Sequence, residues 1–255
     1  MLKTCITGAL AVLVFVSLGA RVHAGPLNPP AGPVASTGKT LTDVEPRIAI
    51  NATNTLPGVT AMHRITQPGS YYLTGNVVGV AGRRGISIEA SNVTIDLSGF
   101  TLQGVAGTLD GISTIGVVNN LTVRNGTVDG WGQDGIDLRH GGVGDGSLVV
   151  DVLVSNSVVN GVRVNNNAVV RGSGSMNNGA DGFNAPANAV FVSCAARDNG
   201  GYGFLTGNGA ALEDCSARAN LVGFSVQLSS VLANCSASFN TQIGFDLTSS
   251  KVSNS

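Results

Sequence analysis

The stretch between residues 129 and 151 holds most of the side chains that could do chemistry. Its polar and aromatic members are Asp129, Trp131, Asp134, Asp137, Arg139, His140, Asp145 and Asp151. An arginine beside a carboxylate suits an acidic sugar, because the guanidinium can neutralise the carboxylate of a uronate. A nearby acidic side chain could then transfer a proton or hold Ca²⁺. A tryptophan between two glycines, as Trp131 is, could stack on a sugar ring.

The candidate catalytic residues are therefore Asp137, Arg139, Arg163 and His140, and the candidate substrate-binding residues are Trp131, Asp134 and Glu89. A structural interpretation stays open for each of them. Opposite charges on neighbouring strands stabilise a sheet by only a few tenths of a kcal/mol. An aspartate directly before a glycine is ordinary turn chemistry, and Trp131 could equally plug a loop over the core.

A repeat runs through the chain and must position these side chains. A glycine followed by an apolar residue recurs at Gly85, Gly111, Gly135, Gly161, Gly182, Gly203, Gly223 and Gly244. The intervals are 26, 24, 26, 21, 21, 20 and 21 residues, and the short runs between them alternate apolar with polar residues. Such alternation, punctuated by Gly and Asn, predicts strands joined by tight turns.

A period of about 21 residues suits either a leucine-rich repeat or a β-solenoid. The Leu-x-x-Leu-x-Leu pattern and the helical half of a leucine-rich repeat are both missing. The sequence therefore predicts an all-β fold, a single-stranded right-handed parallel β-helix of about eight coils with an N-terminal cap.

Three columns of identical residues recur in phase with the glycines. We expect a stack of rings inside the tube, an inward or turn-bound amide ladder whose residues tolerate left-handed backbone, and a stack of buried thiols. Metal binding and redox chemistry are alternatives for the thiols, whereas parallel-pointing side chains have poor geometry for a disulfide. The columns are Phe183, Phe204, Phe224 and Phe245; Asn178, Asn199, Asn220 and Asn240; and Cys194, Cys215 and Cys235.

The phase of the strand after each coil glycine predicts which side chains reach the surface. The first and third residues after the glycine should face the core, so the second and fourth should point outward. On that phase Asp137 and Arg139 lie on the outside of one coil, and Arg163 and Asn165 lie on the outside of the next. Glu89 holds the equivalent fourth position two coils earlier.

The start of the repeat resembles a known group of proteins. Residues 68–76 read Pro-Gly-Ser-Tyr-Tyr-Leu-Thr-Gly-Asn, and residues 92–100 read Asn-Val-Thr-Ile-Asp-Leu-Ser-Gly-Phe. This pattern is similar to the first coils of bacterial right-handed parallel β-helix repeat proteins of the pectin-lyase-like superfamily. The resemblance implies the fold over residues 43–255, and it implies polysaccharide lyases, hydrolases, epimerases and adhesins as relatives. The Asp-Asp and Gly-His-Gly motifs of polygalacturonases and the Asp-Pro-His of alginate epimerases are missing.

The two ends of the chain carry separate expectations. Residues 1–24 have a positive, apolar and small-residue pattern that predicts a cleaved signal peptide. Residues 25–42 are rich in proline and predict an extended lead, residues 43–80 should form the N-terminal cap and first strands, and residues 81–255 should form the repeats. The repeat stops partway round a coil, which suggests end-to-end self-association or a missing C-terminal continuation.

Composition limits the classes of partner. The net charge of -1 gives no electrostatic attraction to nucleic acid, and we expect no membrane span once the signal is removed. Because residues 1–24 predict a signal peptide, we expect the protein to be secreted, periplasmic or on the cell surface. A non-catalytic module that contacts polysaccharide is the first interpretation. An enzyme acting on acidic glycans is an alternative, and a structural or adhesive repeat is another. No resident cofactor or metal is expected, although a lyase could use Ca²⁺.

Overall fold

The computed structural model describes residues 45–139 and 145–254, and within these ranges the secondary structure is entirely strands and turns. The expectations for residues 1–24 and 25–42, and for His140, lie outside the described residues. The strands are β1 (Ile48–Ala49), β2 (Ala61–Ile65), β3 (Gly69–Tyr72), β4 (Val77–Val78), β5 (Arg84–Ile88), β6 (Val93–Asp96), β7 (Thr101–Gln103), β8 (Ile112–Thr114), β9 (Leu121–Asp129), β10 (Ile136–Asp137), β11 (Ser147–Ser155), β12 (Val162–Arg163), β13 (Val169–Arg171), β14 (Gly174–Met176), β15 (Phe183–Ala185), β16 (Val190–Val192), β17 (Ala195–Arg197), β18 (Tyr202–Thr206), β19 (Ala211–Glu213), β20 (Ser216–Arg218), β21 (Val222–Val226), β22 (Val231–Ala233), β23 (Ser236–Ser238), β24 (Ile243–Leu247) and β25 (Lys251–Ser253).

The strands stack in parallel as the three faces of a solenoid. One face is a nine-stranded sheet in the order β2-β5-β8-β10-β12-β15-β18-β21-β24. A sixteen-stranded sheet bends to form the other two faces, because β9 and β11 are long enough to run across both. The second face is β1-β3-β6-β9-β11-β13-β16-β19-β22-β25, and the third is β4-β7-β9-β11-β14-β17-β20-β23. This architecture confirms the predicted right-handed parallel β-helix, with about ten turns where eight were predicted.

The segment 43–80 contributes the first strands of this stack. Within it β1 pairs with β3, while β2 pairs with β5. β3 and β4 likewise pair in parallel with β6 and β7. Within the described ranges no helix is long and apolar enough to cross a membrane.

The inside of the nine-stranded sheet is a column of apolar side chains in register. Ile86, Ile112, Ile136, Val162 and Phe183 pair successively across the coils. All five are buried. From Phe183 the column continues as stacked aromatic rings, with centroids 5.0, 4.8 and 5.0 Å apart. These spacings suit offset ring stacking, so the stacked rings stabilise the parallel pairing of successive coils.

From Asn120 onward the coils turn at three corners, and one residue at each of these corners has a left-handed backbone. Left-handed backbone is unfavourable for most residues but tolerated by Asn, Asp and Gly. The corner before the second face has Asn120, Gly146, Asn167, Asn188, Gly209, Ser229 and Ser249. The corner between the second and third faces has Asn125, Asp151, Gly172, Ser193, Asp214, Asn234 and Asn254. The corner before the nine-stranded sheet has Gly130, Asn156, Asn177, Asp198, Ala219 and Phe239.

The Asn178 column forms a ladder directly after the third of these corners. The side-chain amide of Asn178 donates to Oδ1 of Asn199 at 2.9 Å, and the backbone N–H of Asn178 donates to the same oxygen at 3.1 Å. Asn199 and Asn220 repeat the arrangement with the coil that follows each of them. The left-handed residue is the one before each ladder asparagine, such as Asn177. The expectation that the ladder residues themselves need left-handed backbone is therefore wrong.

The three cysteines occupy the corner between the second and third faces. Cys194, Cys215 and Cys235 are buried and free of disulfides. Each thiol donates to the carbonyl two residues earlier, as Cys194 does to Val192 at 3.4 Å. Ser173, one coil before Cys194, makes the same contact through its hydroxyl. The column therefore has a structural role, because each thiol donates a hydrogen bond to a backbone carbonyl at the corner.

Candidate functional site

The outer side of the nine-stranded sheet carries a column of polar residues across five coils. Arg64, Ser87, Ser113, Asp137 and Arg163 pair successively in register. Because side chains alternate along a strand, these five point away from the apolar core column. We call this surface, from β2 to β12, the charged face.

Arg163, on the last strand of the charged face, binds two carboxylates. Its Nη1 donates to Oδ2 of Asp134 and to Oδ2 of Asp137, at 2.9 Å in each case. The Arg163 side chain is 28% exposed, whereas those of Asp134 and Asp137 are 7% and 2% exposed. One guanidinium nitrogen therefore serves two nearly inaccessible carboxylates.

The remaining oxygens of these carboxylates are also occupied. Oδ1 of Asp134 accepts from the backbone and side-chain amides of Asn160, at 2.9 and 2.8 Å. Oδ1 of Asp137 accepts from the backbone N–H of Arg139 at 3.0 Å. Neither aspartate offers an unengaged oxygen to a substrate in this arrangement.

A second ion pair extends the network toward the start of the solenoid. Nε of Arg84 donates to Oδ2 of Asp110 at 3.2 Å. The other oxygen of Asp110 accepts from the backbone N–H of Asp134 at 3.3 Å. The network therefore runs without interruption from Arg84 to Arg163.

Burial shifts the proton affinities of this network. Burial raises the pKa of Asp137 although the charge of Arg163 opposes the shift. Burial, followed by the charge of Arg163, lowers the pKa of Arg139. For Arg163, burial lowers the pKa, but the bond to Asp134 and the charges of both aspartates outweigh it and raise the pKa overall. The charge of Arg163 thus disfavours the charged form of Arg139, whereas the charges of Asp137 and Asp134 favour it.

Arg139 and Arg163 keep donors available. Within residues 45–139 and 145–254, the Arg139 guanidinium has no hydrogen-bond partner, and Nε and Nη2 of Arg163 have none either. The Nε and Nη2 hydrogens of an arginine form the edge that binds a carboxylate in bidentate geometry. Both arginines therefore retain donors that an anion could use.

Glu89 belongs to a separate cleft on the same face. Its carboxylate accepts from Nε and Nη2 of Arg64, at 2.7 and 2.5 Å, and from the Ser87 hydroxyl at 3.2 Å. The bond to Arg64 lowers the pKa of Glu89 more than burial raises it. A cleft of about 330 Å³ is lined by Gly58, Val59, Thr60, Ala61, Arg64, Glu89 and Ile115. The structure therefore does not bring Glu89 together with Asp137.

Two residues that were predicted to point outward, Asp137 and Asn165, are buried. Asp137 lies on the outer side of the sheet, but it is only 1% exposed because Arg163 and the backbone of Arg139 cover it. Asn165 is 0% exposed and accepts from the backbone and hydroxyl of Ser147, so it does not point to solvent. Strand β12 ends at Arg163, and the alternation of a strand no longer applies at Asn165.

Trp131 contradicts the expectation of a sugar-binding platform. Its side chain is 0% exposed, and its Nε1 donates to the carbonyl of Leu102 at 3.0 Å. The ring packs against Gly85 so closely that a Cβ there would lie 2.8 Å from it. Trp131 therefore plugs the corner of the solenoid and presents no ring face to a ligand.

The carboxylates of the charged face do not resemble a Ca²⁺ site. Over the described ranges, no group of three acidic, His or Cys side chains has a geometry that could hold a metal ion. Asp110, Asp134 and Asp137 face arginines and amide donors instead.

Sequence reasoning missed Arg64, Arg84 and Asp110 as members of the charged face. The sequence did contain a signal for these residues, because each ion pair joins two residues that lie one coil apart. Arg64 and Glu89 are 25 residues apart, and Arg84 and Asp110 are 26 apart. Opposite charges separated by one coil period could have identified these pairs.

Comparisons with known proteins identify the fold. No protein-family model and no curated protein matches the chain. The crystal structure of pectate lyase Pel9A shares 13% identity and a TM-score of 0.52, over 77% of this chain and 68% of that one. The A-module of mannuronan C-5 epimerase AlgE4 from Azotobacter vinelandii shares 12% identity and a TM-score of 0.48, over 81% and 86%. The chain is thus a right-handed parallel β-helix similar in fold to pectate lyase Pel9A.

Proposed function

We propose that this is an exported, non-catalytic protein that binds acidic polysaccharide on its charged face. One observation carries the proposal: within the described residues the guanidinium of Arg139 and the Nε and Nη2 of Arg163 have no hydrogen-bond partner, while Nη1 of Arg163 is held by Asp134 and Asp137. A uronate carboxylate bound at these two arginines would receive bidentate donors and would offset their positive charges.

The anchoring of Arg163 strengthens this proposal. Asp134 and Asp137 hold one of its nitrogens in place, so little side-chain freedom is left to lose on binding. The fold neighbour is named as a lyase of pectate, an acidic polysaccharide. Export agrees with the signal pattern of residues 1–24.

The way the acids are used supports a non-catalytic role. Asp134 and Asp137 are nearly inaccessible, and their oxygens accept from Arg163, Asn160 and Arg139. A general acid or base must reach the substrate proton. These aspartates instead stabilise the arginines that would contact the polymer.

The test is a binding assay with polygalacturonate and alginate, and with neutral dextran as the reference polymer. Arg139→Gln and Arg163→Gln should each weaken binding by roughly tenfold, because each removes a charged hydrogen-bond donor. Arg171→Gln, on the exposed second face, is the matched control and should bind normally. Equal binding by all four proteins would contradict the proposed site.

An enzyme is the second candidate, since burial raises the pKa of Asp137 and residues with shifted pKa values cluster at active sites. The same polymers should then yield shortened or unsaturated products, and Asp137→Asn should abolish their formation. Retention without products supports the binding protein. A chain that neither retains nor cleaves them favours a structural or adhesive role.

A further inference from the structure

A second exposed cluster lies on the third face of the solenoid, away from the charged face. It consists of Arg197 on β17, Arg218 on β20 and Phe239 just after β23, which we call the Arg-Phe strip. Arg197 and Arg218 pair directly across neighbouring coils. Like charges placed opposite each other in a sheet are unfavourable, so this pairing has no evident structural benefit.

Phe239 is an unusual occupant of its corner. Its backbone φ is 56°, and its side chain is 79% exposed. The equivalent corner residues Asn177, Asp198 and Ala219 are small or polar. A bulky aromatic residue in left-handed backbone is a true outlier, and such strain is concentrated at functional sites. Phe239 buries little of its ring, so packing does not explain its presence.

Arg218 orients the exposed ring. Its guanidinium carbon lies 5.1 Å from the centroid of the Phe239 ring, a cation–π distance. Arg197 pairs with Asp198 at 2.9 Å, whereas no carboxylate within the described part of the chain pairs with Arg218. The strip therefore offers an uncompensated positive charge beside an accessible aromatic face.

We propose that the Arg-Phe strip is a second contact site for acidic polysaccharide. The C–H face of a sugar ring can pack on Phe239 while its carboxylate pairs with Arg218. Arg197 is one coil away, about 4.8 Å, a step similar to the advance of one sugar in an extended polymer. The site lies on a different face from Arg139 and Arg163, so one molecule could bind two polymer chains. This inference goes beyond the proposed function and does not depend on it.

Phe239→Asn separates a binding role from a structural one. Asn tolerates left-handed backbone, so the variant should keep or raise the midpoint of thermal unfolding. Affinity of the full chain for polygalacturonate should fall about two- to fivefold, as for loss of an exposed cation–π contact. Arg218→Gln should weaken binding to a similar extent. Ser229→Asn, at an exposed left-handed corner elsewhere, is the control and should bind normally.

The outcomes discriminate between the two sites. Loss of affinity in Phe239→Asn and Arg218→Gln, with an unfolding midpoint for Phe239→Asn that is unchanged or raised, supports the strip. Normal binding by both, or a lower midpoint for Phe239→Asn, overturns it. If only Arg139→Gln and Arg163→Gln lose affinity, the charged face stands and the strip is rejected. If only the strip variants lose affinity, the strip is supported and the charged face is rejected as a binding site. If the unmodified chain does not bind polygalacturonate, both sites are rejected.

Discussion

Asn199 donates its side-chain amide to Oδ1 of Asn220 at 2.9 Å, one coil above it, and its backbone N–H donates to the same oxygen at 3.1 Å. The second amide hydrogen of Asn220 donates to the carbonyl of Ala196 at 3.2 Å. The Asn220 side chain therefore satisfies both a backbone N–H and a backbone carbonyl of the preceding coil. Because Asn220 is buried, water cannot replace these partners.

Replacing Asn220 with Leu should destabilise the fold by about 1–3 kcal/mol, because buried amides on both sides lose a partner. Urea denaturation measures the change. Asn208→Leu, at an exposed position, is the matched control and should shift stability by less than about 0.5 kcal/mol. An unchanged midpoint for Asn220→Leu would mean that the ladder contributes nothing to stability.

The thiols of Cys194, Cys215 and Cys235 should stay reduced and react slowly in the native protein. All three are buried. The contact between Cys194 and Cys215 raises the pKa of Cys215 to about 12 but lowers the pKa of Cys194, so burial alone must protect Cys194. A thiol with a raised pKa forms little of the reactive thiolate. Alkylation followed by mass mapping should find them unlabelled until denaturant is added, whereas Ser236→Cys on the exposed surface should label at once. Rapid native labelling of all three would contradict their burial.

Arg163→Gln should destabilise the protein by about 1–3 kcal/mol, because it removes the charged donor shared by two buried carboxylates. Asp137→Asn in the same chain should recover part of that loss. Burial already raises the pKa of Asp137, so its negative charge is costly without Arg163. Denaturation of the two single variants and the double variant forms a mutant cycle. Strictly additive losses would show that Arg163 does not stabilise the Asp137 charge.

The ion pair of Glu89 with Arg64 should make stability depend on pH in the acid range. The bond to Arg64 lowers the pKa of Glu89 below its ordinary value of 4.5, so the unfolded chain binds the proton more tightly. The contribution is full above that value and is lost as the pH falls through the folded-state pKa. Glu89→Gln should therefore lower the melting midpoint at neutral pH, and this gap should close in acid. The exposed Glu213→Gln is the control, and a gap independent of pH would exclude the charge as its cause.

The coil register could be predicted from the sequence because several columns repeat one residue type through successive late coils. Phe183 and Phe204 show this well, since both their spacing and the glycine before each ring are repeated. Stacking identical side chains across a parallel ladder is what fixes the register.

The surface could not be predicted equally well, for a physical reason. Strand β10 contains only Ile136 and Asp137, and β12 contains only Val162 and Arg163. Alternation therefore holds for one step and fails at the next corner, which turns Asn165 inward. The burial of Asp137 depends on where the Arg163 side chain lies one coil away, and no local pattern contains that information.

The sequence alone allowed two interpretations of Trp131, a platform that stacks on a sugar ring or a plug that covers the core, and a substitution can distinguish them. Its ring is fully buried, Nε1 donates to the Leu102 carbonyl, and a Cβ added to Gly85 or Gly111 would contact the ring. Trp131→Ala should therefore cost about 3–5 kcal/mol, as for other large cavities in a packed core. Gly85→Ala should also destabilise, since the new Cβ would lie 2.5 Å from the carbonyl oxygen of Gly111 as well as against the ring. At a temperature where Trp131→Ala remains folded, its affinity for polygalacturonate should equal that of the unmodified chain. Loss of affinity without loss of stability would instead mean that the ring can reach the surface and bind sugar.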